Sequence, residues 1–106
     1  MAIKRVWHGW TTPENADLYE KTVRHHVAPS IKASGIQGYR GLELFRIANP
    51  VAGEVEFMTI MTFDSLDNIV AFQGTDYTRA HVPDIAQKAL KRWDNHAVHY
   101  EVCDLT

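Results

Sequence analysis

The sequence contains a single cysteine, Cys103. One thiol cannot form an internal disulfide or supply a zinc site built from several cysteines. The chain also has no apolar run of the about 20 residues that a transmembrane helix needs. An excess of charge of one sign is missing too, because 11 basic and 13 acidic residues give a formal net charge of −2. That balance excludes the strongly basic surface that is typical of proteins binding nucleic acid or anionic lipid, so we expect neither partner, and no membrane.

The remaining composition is that of one folded domain. The chain of 106 residues is 45% hydrophobic and 23% charged, which excludes disorder as a description of the whole. The length suits a single domain over residues 1–106. Residues 1–5 lead into no signal-peptide core, and we therefore expect a cytoplasmic protein.

Four segments have the composition of strands: β-branched, aromatic and aliphatic residues are frequent in them, and turn residues flank them. They span residues 3–10, 39–47, 54–63 and 97–103, and the turn signal at 49–53 joins the second to the third.

Three segments between the strands have helical patterns. The first begins at Thr12 or Pro13 with an apolar face that continues to Ile31, and Pro29 is expected to kink or end it. The second begins after Asp64 or Ser65 and closes at Gly74, and the third follows Pro83 with Ile85, Ala89 and Leu90 facing inward. The order βαββαβ predicts an α+β, ferredoxin-like fold with a four-stranded antiparallel sheet.

The third strand is apolar on both of its faces. From Phe57 onward, neither alternate set of side chains is properly polar. A sheet with helices on one side only should have a polar second face, so an apolar one indicates that something covers it. We expect a second copy of the chain, sheet against sheet, although a few exposed apolar residues on a monomer would also be ordinary.

Three segments together resemble a known family. They are residues 7–11 (WHGWT), the stretch 56–74 with TFDSLD and AFQG, and residues 99–102 (HYEV). In this order and spacing they resemble the antibiotic biosynthesis monooxygenase family of the dimeric α+β barrel superfamily, from about residue 3 to about residue 102. The resemblance implies a homodimer of ferredoxin-like subunits, with a pocket between sheet and helices in each.

The function that the resemblance implies is oxidation of a small molecule. The family includes enzymes that oxidise aromatic substrates with molecular oxygen and without metal or flavin, which implies a cofactor-independent monooxygenase acting on an aromatic or quinone-type molecule. It also includes heme-degrading enzymes that use an Asn, a Trp and a His. Residues 76–81 resemble their His-bearing segment, which carries over His81, whereas Ala71 or Phe72 stands near the Trp position and the first strand has no Asn. The alternative function is not enzymatic: a non-catalytic dimer that binds a small hydrophobic ligand.

Two histidines are candidates for the general base that such a reaction needs, because a His titrates near neutral pH. They are His81, near the mouth of the expected pocket, and His8. The alternative for His81 is a solvated histidine at a helix end, and the alternative for His8 is a hydrogen-bonded core histidine. Trp10, Phe72 and Tyr77 could stack on a flat substrate, although plain core packing would also explain them. We expect no metal site, because His25 and His26 are adjacent on a helix and His96 and His99 point to opposite faces of a strand.

Overall fold

The computed structural model describes all residues, 1–106, and consists of one antiparallel sheet with helices on one side. Three long strands form its centre: β1 (Ile3–Thr11), β2 (Tyr39–Arg46) and β3 (Val55–Phe63). They lie in the order β2-β3-β1. The remaining edge of β1 pairs with two short strands, β4 (Arg92–Trp93) near its end and β5 (Val98–Glu101) near its start.

This arrangement confirms the predicted ferredoxin-like α+β fold. The fourth position of the sheet is divided between β4 and β5, so the sheet has five strands instead of four. The predicted strand at 97–103 is shorter in the structure, and β4 was not predicted because a two-residue strand has no periodicity to detect.

Alternation along β1 determines which residues face the helices. Ile3, Arg5 and Trp7 are buried on the helix-covered face. Val6 and Trp10 point to the other face, which no helix covers, and so do Met58 and Ile60 of β3. We call this the open face; its further apolar members are Phe45 of β2 and Val98 and Tyr100 of β5.

The first helical segment continues past its proline. It consists of a 3₁₀ turn (Pro13–Asn15), α1 (Ala16–Thr22), a π-helical turn (Val23–Val27) and α2 (Ala28–Ala33). Of the two expected effects of Pro29, a kink or an end, the structure excludes the end, because the helical segment continues to Ala33. The Ala28 N–H donates to the carbonyl oxygen of Val23, five residues back, so the hydrogen-bond register has already shifted where Pro29 removes a donor.

The later helices are short. In α3 (Leu66–Gln73), the Ser65 hydroxyl accepts a hydrogen bond from the backbone N–H of Asn68, and Gly74 closes the helix at a φ of 99°. In α4 (Asp84–Gln87), Ala86 is buried and Ile85 is exposed, which corrects the prediction that Ile85 faces inward. A helix of little more than one turn presents one residue to the interior, and the small Ala86 occupies that position.

Two groups of buried residues form the core between the sheet and the helices. One surrounds Phe57 and Tyr19, and the other surrounds Phe63 and Ile69. None of the helices is long and apolar enough to cross a membrane.

Candidate functional site

A cavity lies between the helix-covered face of the sheet and the first helical segment. Its floor comes from the strands and its wall from the helix, while the irregular segment 80–83 closes one side; its members include Arg5, Trp7, Tyr19, Val23, Met61 and His81. Its volume is about 50 Å³, and most of its lining is hydrophobic. A mostly apolar lining strengthens electrostatic interactions relative to bulk water.

Arg5 is the charged group of this cavity. It is only 3% exposed, and burial lowers its pKa to about 10. Its Nη1 donates to the carbonyl oxygen of Tyr77 and its Nη2 donates to that of Arg79 at 2.7 Å. Nη1 also lies 3.0 Å from Nε2 of His99. No carboxylate forms an ion pair with Arg5, so the cavity contains a cation with uncharged partners.

His81 lies at the mouth of the cavity and is exposed to solvent. The edge of the ring packs against Phe72, with centroids 5.2 Å apart. Burial, followed by the positive charge of Arg5, lowers the pKa of His81 below its usual 6.5. Neither ring nitrogen hydrogen-bonds to another residue. A neutral imidazole with free nitrogens can therefore take a proton at neutral pH.

Tyr19 adds a third polar group to the cavity wall. Its ring packs against Phe57 at 4.8 Å, and burial raises the pKa of its hydroxyl, which stays protonated. Tyr19 can therefore donate a hydrogen bond but cannot act as a base at neutral pH.

His8 and Trp10 do not line this cavity, contrary to the sequence-based expectation. Both are even-numbered residues of β1, so their side chains point to the open face, away from the helices. His8 Nδ1 lies 3.5 Å from Oδ2 of Asp94, and the guanidinium of Arg92 lies 3.8 Å above the Trp10 ring. His8 is also half-exposed, so the alternative of a core histidine does not describe it either.

Phe72 and Tyr77 lie beside the cavity without lining it. Phe72 packs between Phe63 and His81, because α3 directs it towards the second core group. The Tyr77 ring packs against His99 at 5.3 Å. Phe72 therefore contacts His81, and Tyr77 contacts His99, which lies beside Arg5. A direct role of Phe72 or Tyr77 in binding substrate stays a prediction.

Sequence reasoning missed Arg5, Trp7 and Tyr19 as members of the site. A usable signal existed for Arg5: it shares the buried phase of β1 with Ile3 and Trp7, and a charged residue at such a position needs a special reason. Trp7 and Tyr19 have no comparable signal, because apolar and aromatic residues at buried positions are ordinary core.

The structure contains no group of three or more His, Cys, Asp or Glu side chains that could hold a metal ion. His96 Nδ1 lies 3.1 Å from the Thr78 hydroxyl and His99 contacts Arg5, so these two histidines have different neighbours.

Comparisons with known proteins identify the fold. No family model matches the sequence, and no curated protein matches it. The chain is similar to the crystal structure of an ethyl tert-butyl ether d (EthD) family protein from Bacillus halodurans, with a TM-score of 0.61, 15% identity and coverage of 97% of this chain and 100% of that one. It is also similar to Rv0793 from Mycobacterium tuberculosis, with a TM-score of 0.60, 11% identity and coverage of 98% and 97%. At these identities the likeness shows the ferredoxin-like α+β fold, and membership in the antibiotic biosynthesis monooxygenase family stays a prediction.

Proposed function

We propose that this protein binds a small aromatic or quinone-type molecule and oxidises it with molecular oxygen, without a cofactor. The observation that carries the proposal is the position of His81, whose free ring nitrogens lie at the mouth of an apolar cavity. Its lowered pKa keeps the imidazole neutral, and therefore basic, at neutral pH.

The chemistry needs only a base, an apolar site and a substrate that is easily oxidised. His81 removes a proton from an activated methylene or a phenol, and the resulting anion transfers an electron to oxygen. When a methylene becomes a carbonyl, its carbon gains one oxygen atom, and the second oxygen atom leaves as water with the two hydrogens. When a phenol becomes a quinone, a ring C–H carbon gains the oxygen atom, and the water takes that hydrogen and the hydroxyl hydrogen. The substrate supplies all the electrons, so the balance requires neither metal nor flavin.

The size of the cavity decides where a ring would lie. An engineered cavity of about 150 Å³ takes up benzene, whereas the cavity beside His81 measures about 50 Å³. A ring system would therefore lie at the mouth, beside His81, unless segment 80–83 moves outward. That segment is irregular, and isolated hydrogen bonds such as Ala80 N–H to Asn95 O at 2.8 Å hold it in place of a continuous ladder. Moving it outward therefore requires less free energy than separating strands of the sheet.

We further propose that the functional form is a homodimer that covers the open face. Phe45, Val98 and Tyr100 are exposed there beside the partly exposed Val6 and Ile60. Burying this surface against a second copy would remove apolar area from water, which is the dominant favourable term in most associations. A symmetric contact between identical sheets also needs no other partner.

Oxidation of anthrone-like and quinol-like substrates under isotopically labelled oxygen gas, with a chelator present and no flavin added, tests the proposed activity. We expect one labelled oxygen atom in the product and consumption of oxygen that depends on the protein. Products without label, or no oxygen consumption over the panel, would contradict the proposal.

A non-catalytic protein that binds a small hydrophobic ligand is the second candidate. The observation that favours it is the small volume of the cavity, which suits binding of part of a ligand better than enclosure of a reacting ring system. Saturable binding of the panel compounds without oxygen consumption would establish this function instead.

A further inference from the structure

Arg5 has more hydrogen-bond donors than the protein has acceptors for it. A guanidinium carries five N–H donors and no acceptor. Nη1 is directed to the Tyr77 carbonyl oxygen and to His99 Nε2, and Nη2 donates to the Arg79 carbonyl oxygen. The Nε–H and one Nη2 hydrogen have no acceptor within the protein.

Other arginines of the chain show what usually fills those positions. Arg40 donates through Nε and Nη2 to the two carboxylate oxygens of Asp64, at 2.9 and 2.6 Å. Arg92 holds Glu54 in the same way, at 3.1 and 3.0 Å. This planar fork matches two oxygens of one anionic group. In Arg5 no carboxylate accepts from this side: Nε has no acceptor, and Nη2 donates to the Arg79 carbonyl oxygen.

Arg5 is one of the residues that line the cavity. Thr11 Oγ1 is the one side-chain polar atom that is fully buried without a hydrogen-bond partner. The unpaired Nε of Arg5 is therefore not cut off. A buried cation without a counterion is costly, and the cost falls when an anion supplies the missing charge and acceptors.

We propose that Arg5 is an anion-recognition residue, and that the cavity takes an organic anion whose carboxylate, phenolate or enolate oxygen binds the free N–H groups of Arg5. The charged end of the ligand enters the cavity, and its apolar part lies towards the mouth beside His81. The inference rests on the proposed function in using the same cavity, and it adds that the ligand is bound as an anion. A neutral molecule of the same shape lacks the negative charge and the second equivalent oxygen, so its hydrogen bonds to Arg5 are weaker.

Benzoate and benzamide are probes that test this selectivity, because they have nearly the same shape and differ in charge. The test is a titration of the wild-type protein with each probe, in which NMR follows the backbone amide and Arg Nε–H resonances. Charge-assisted hydrogen bonds predict that benzoate binds about tenfold or more tightly than benzamide. The Arg5 Nε–H resonance should shift together with the amides of Ala80 and His81. Equal affinities, no binding of either, or benzoate shifts confined to exposed arginines would overturn the proposal.

Two variants locate the selectivity. Arg5→Gln should abolish the preference for benzoate, and Arg5→Lys, which keeps the charge but loses the planar fork, should retain only part of it. The matched control is Arg40→Gln, an exposed arginine whose fork Asp64 already fills, and it should bind like the wild type. If Arg5→Gln does not fold, the affinities of the wild-type protein for benzoate and benzamide still test the proposal. Binding of benzoate at Arg5 without oxygen consumption in the labelling experiment would support this inference while contradicting the proposed oxidation.

Discussion

Nη1 of Arg5 lies 3.0 Å from Nε2 of His99, the residue opposite it on β5. Because a guanidinium can only donate, Nε2 must accept, and the neutral ring then carries its proton on Nδ1. Burial, followed by the charge of Arg5, lowers the pKa of His99 from its usual 6.5, as it does for His81 at the cavity mouth. Protonation of either ring therefore places a second positive charge near a buried cation.

This relationship predicts that the protein loses stability in weak acid. Both pKa values are lower in the folded than in the unfolded chain, so at pH values just below 6.5 the unfolded chain binds more protons. The contribution of these two neutral histidines to the free energy of unfolding is fully present above pH 6.5, and it falls as the pH drops towards their pKa values in the folded protein. Melting temperatures measured across this range should decline for the wild type and decline less for His99→Gln. The exposed helical His25→Gln is the control and should follow the wild type; an identical decline in His99→Gln would contradict the coupling.

The open face predicts a dimer in solution. Light scattering at micromolar concentration should give twice the mass of the chain, and Val98→Asp should shift the protein to monomer because it places a charge in the apolar contact. Leu18→Asp is the matched control, because Leu18 is 52% exposed and Val98 is 53% exposed, but Leu18 lies on α1 and away from the open face. A stable wild-type monomer would contradict the sheet-to-sheet assembly.

Hemin is predicted to bind weakly and to survive added reductant. The chain has Ala71 or Phe72 near the position where the heme-degrading enzymes that it was compared with in sequence have Trp, and the cavity of about 50 Å³ does not enclose a porphyrin. Visible absorption spectra should show no sharp Soret band that depends on His81. A tight complex whose Soret band is lost in His81→Ala would instead establish heme binding.

Gly9 is predicted to be necessary for the cavity wall. A Cβ at this position would lie 2.6 Å from Cη2 of Trp7 and 3.0 Å from Cδ2 of Leu90. The Trp7 ring is held by a hydrogen bond from Nε1 to the Asp94 carbonyl oxygen at 2.8 Å, so it cannot move away freely. Gly9→Ala should therefore lower the free energy of unfolding by about 1–3 kcal/mol. Urea unfolding measures this, and a loss below about 0.5 kcal/mol would contradict the close contact.

The sequence predicted the fold well where local chemistry and tertiary packing agree. The extents of β1 and β3 and the Ser65 cap illustrate this agreement, since each is encoded within a few residues. The π-helical turn before Pro29 was not predicted, because such a turn depends on packing that a proline rule does not include.

The site was harder to predict than the fold. Strict alternation puts His8 and Trp10 on the face opposite Trp7, but the sequence does not show which face of β1 the helices cover. The role of Phe72 and Tyr77 as neighbours of His81 and His99 depends on contacts between distant segments, which no local pattern contains. His81 was placed near the mouth through a family resemblance, and its function as a base stays a prediction.

The rate of substrate oxidation by His81→Ala tests the central claim most directly. General-base catalysis contributes about 10²–10⁴-fold, so kcat should fall by that order while the mass in solution and the melting temperature stay close to those of the wild type. His25→Ala, which removes an exposed histidine from the first helical segment, should retain the wild-type rate. An unchanged kcat in His81→Ala would contradict the assignment of His81 as the base and, with it, the proposed mechanism.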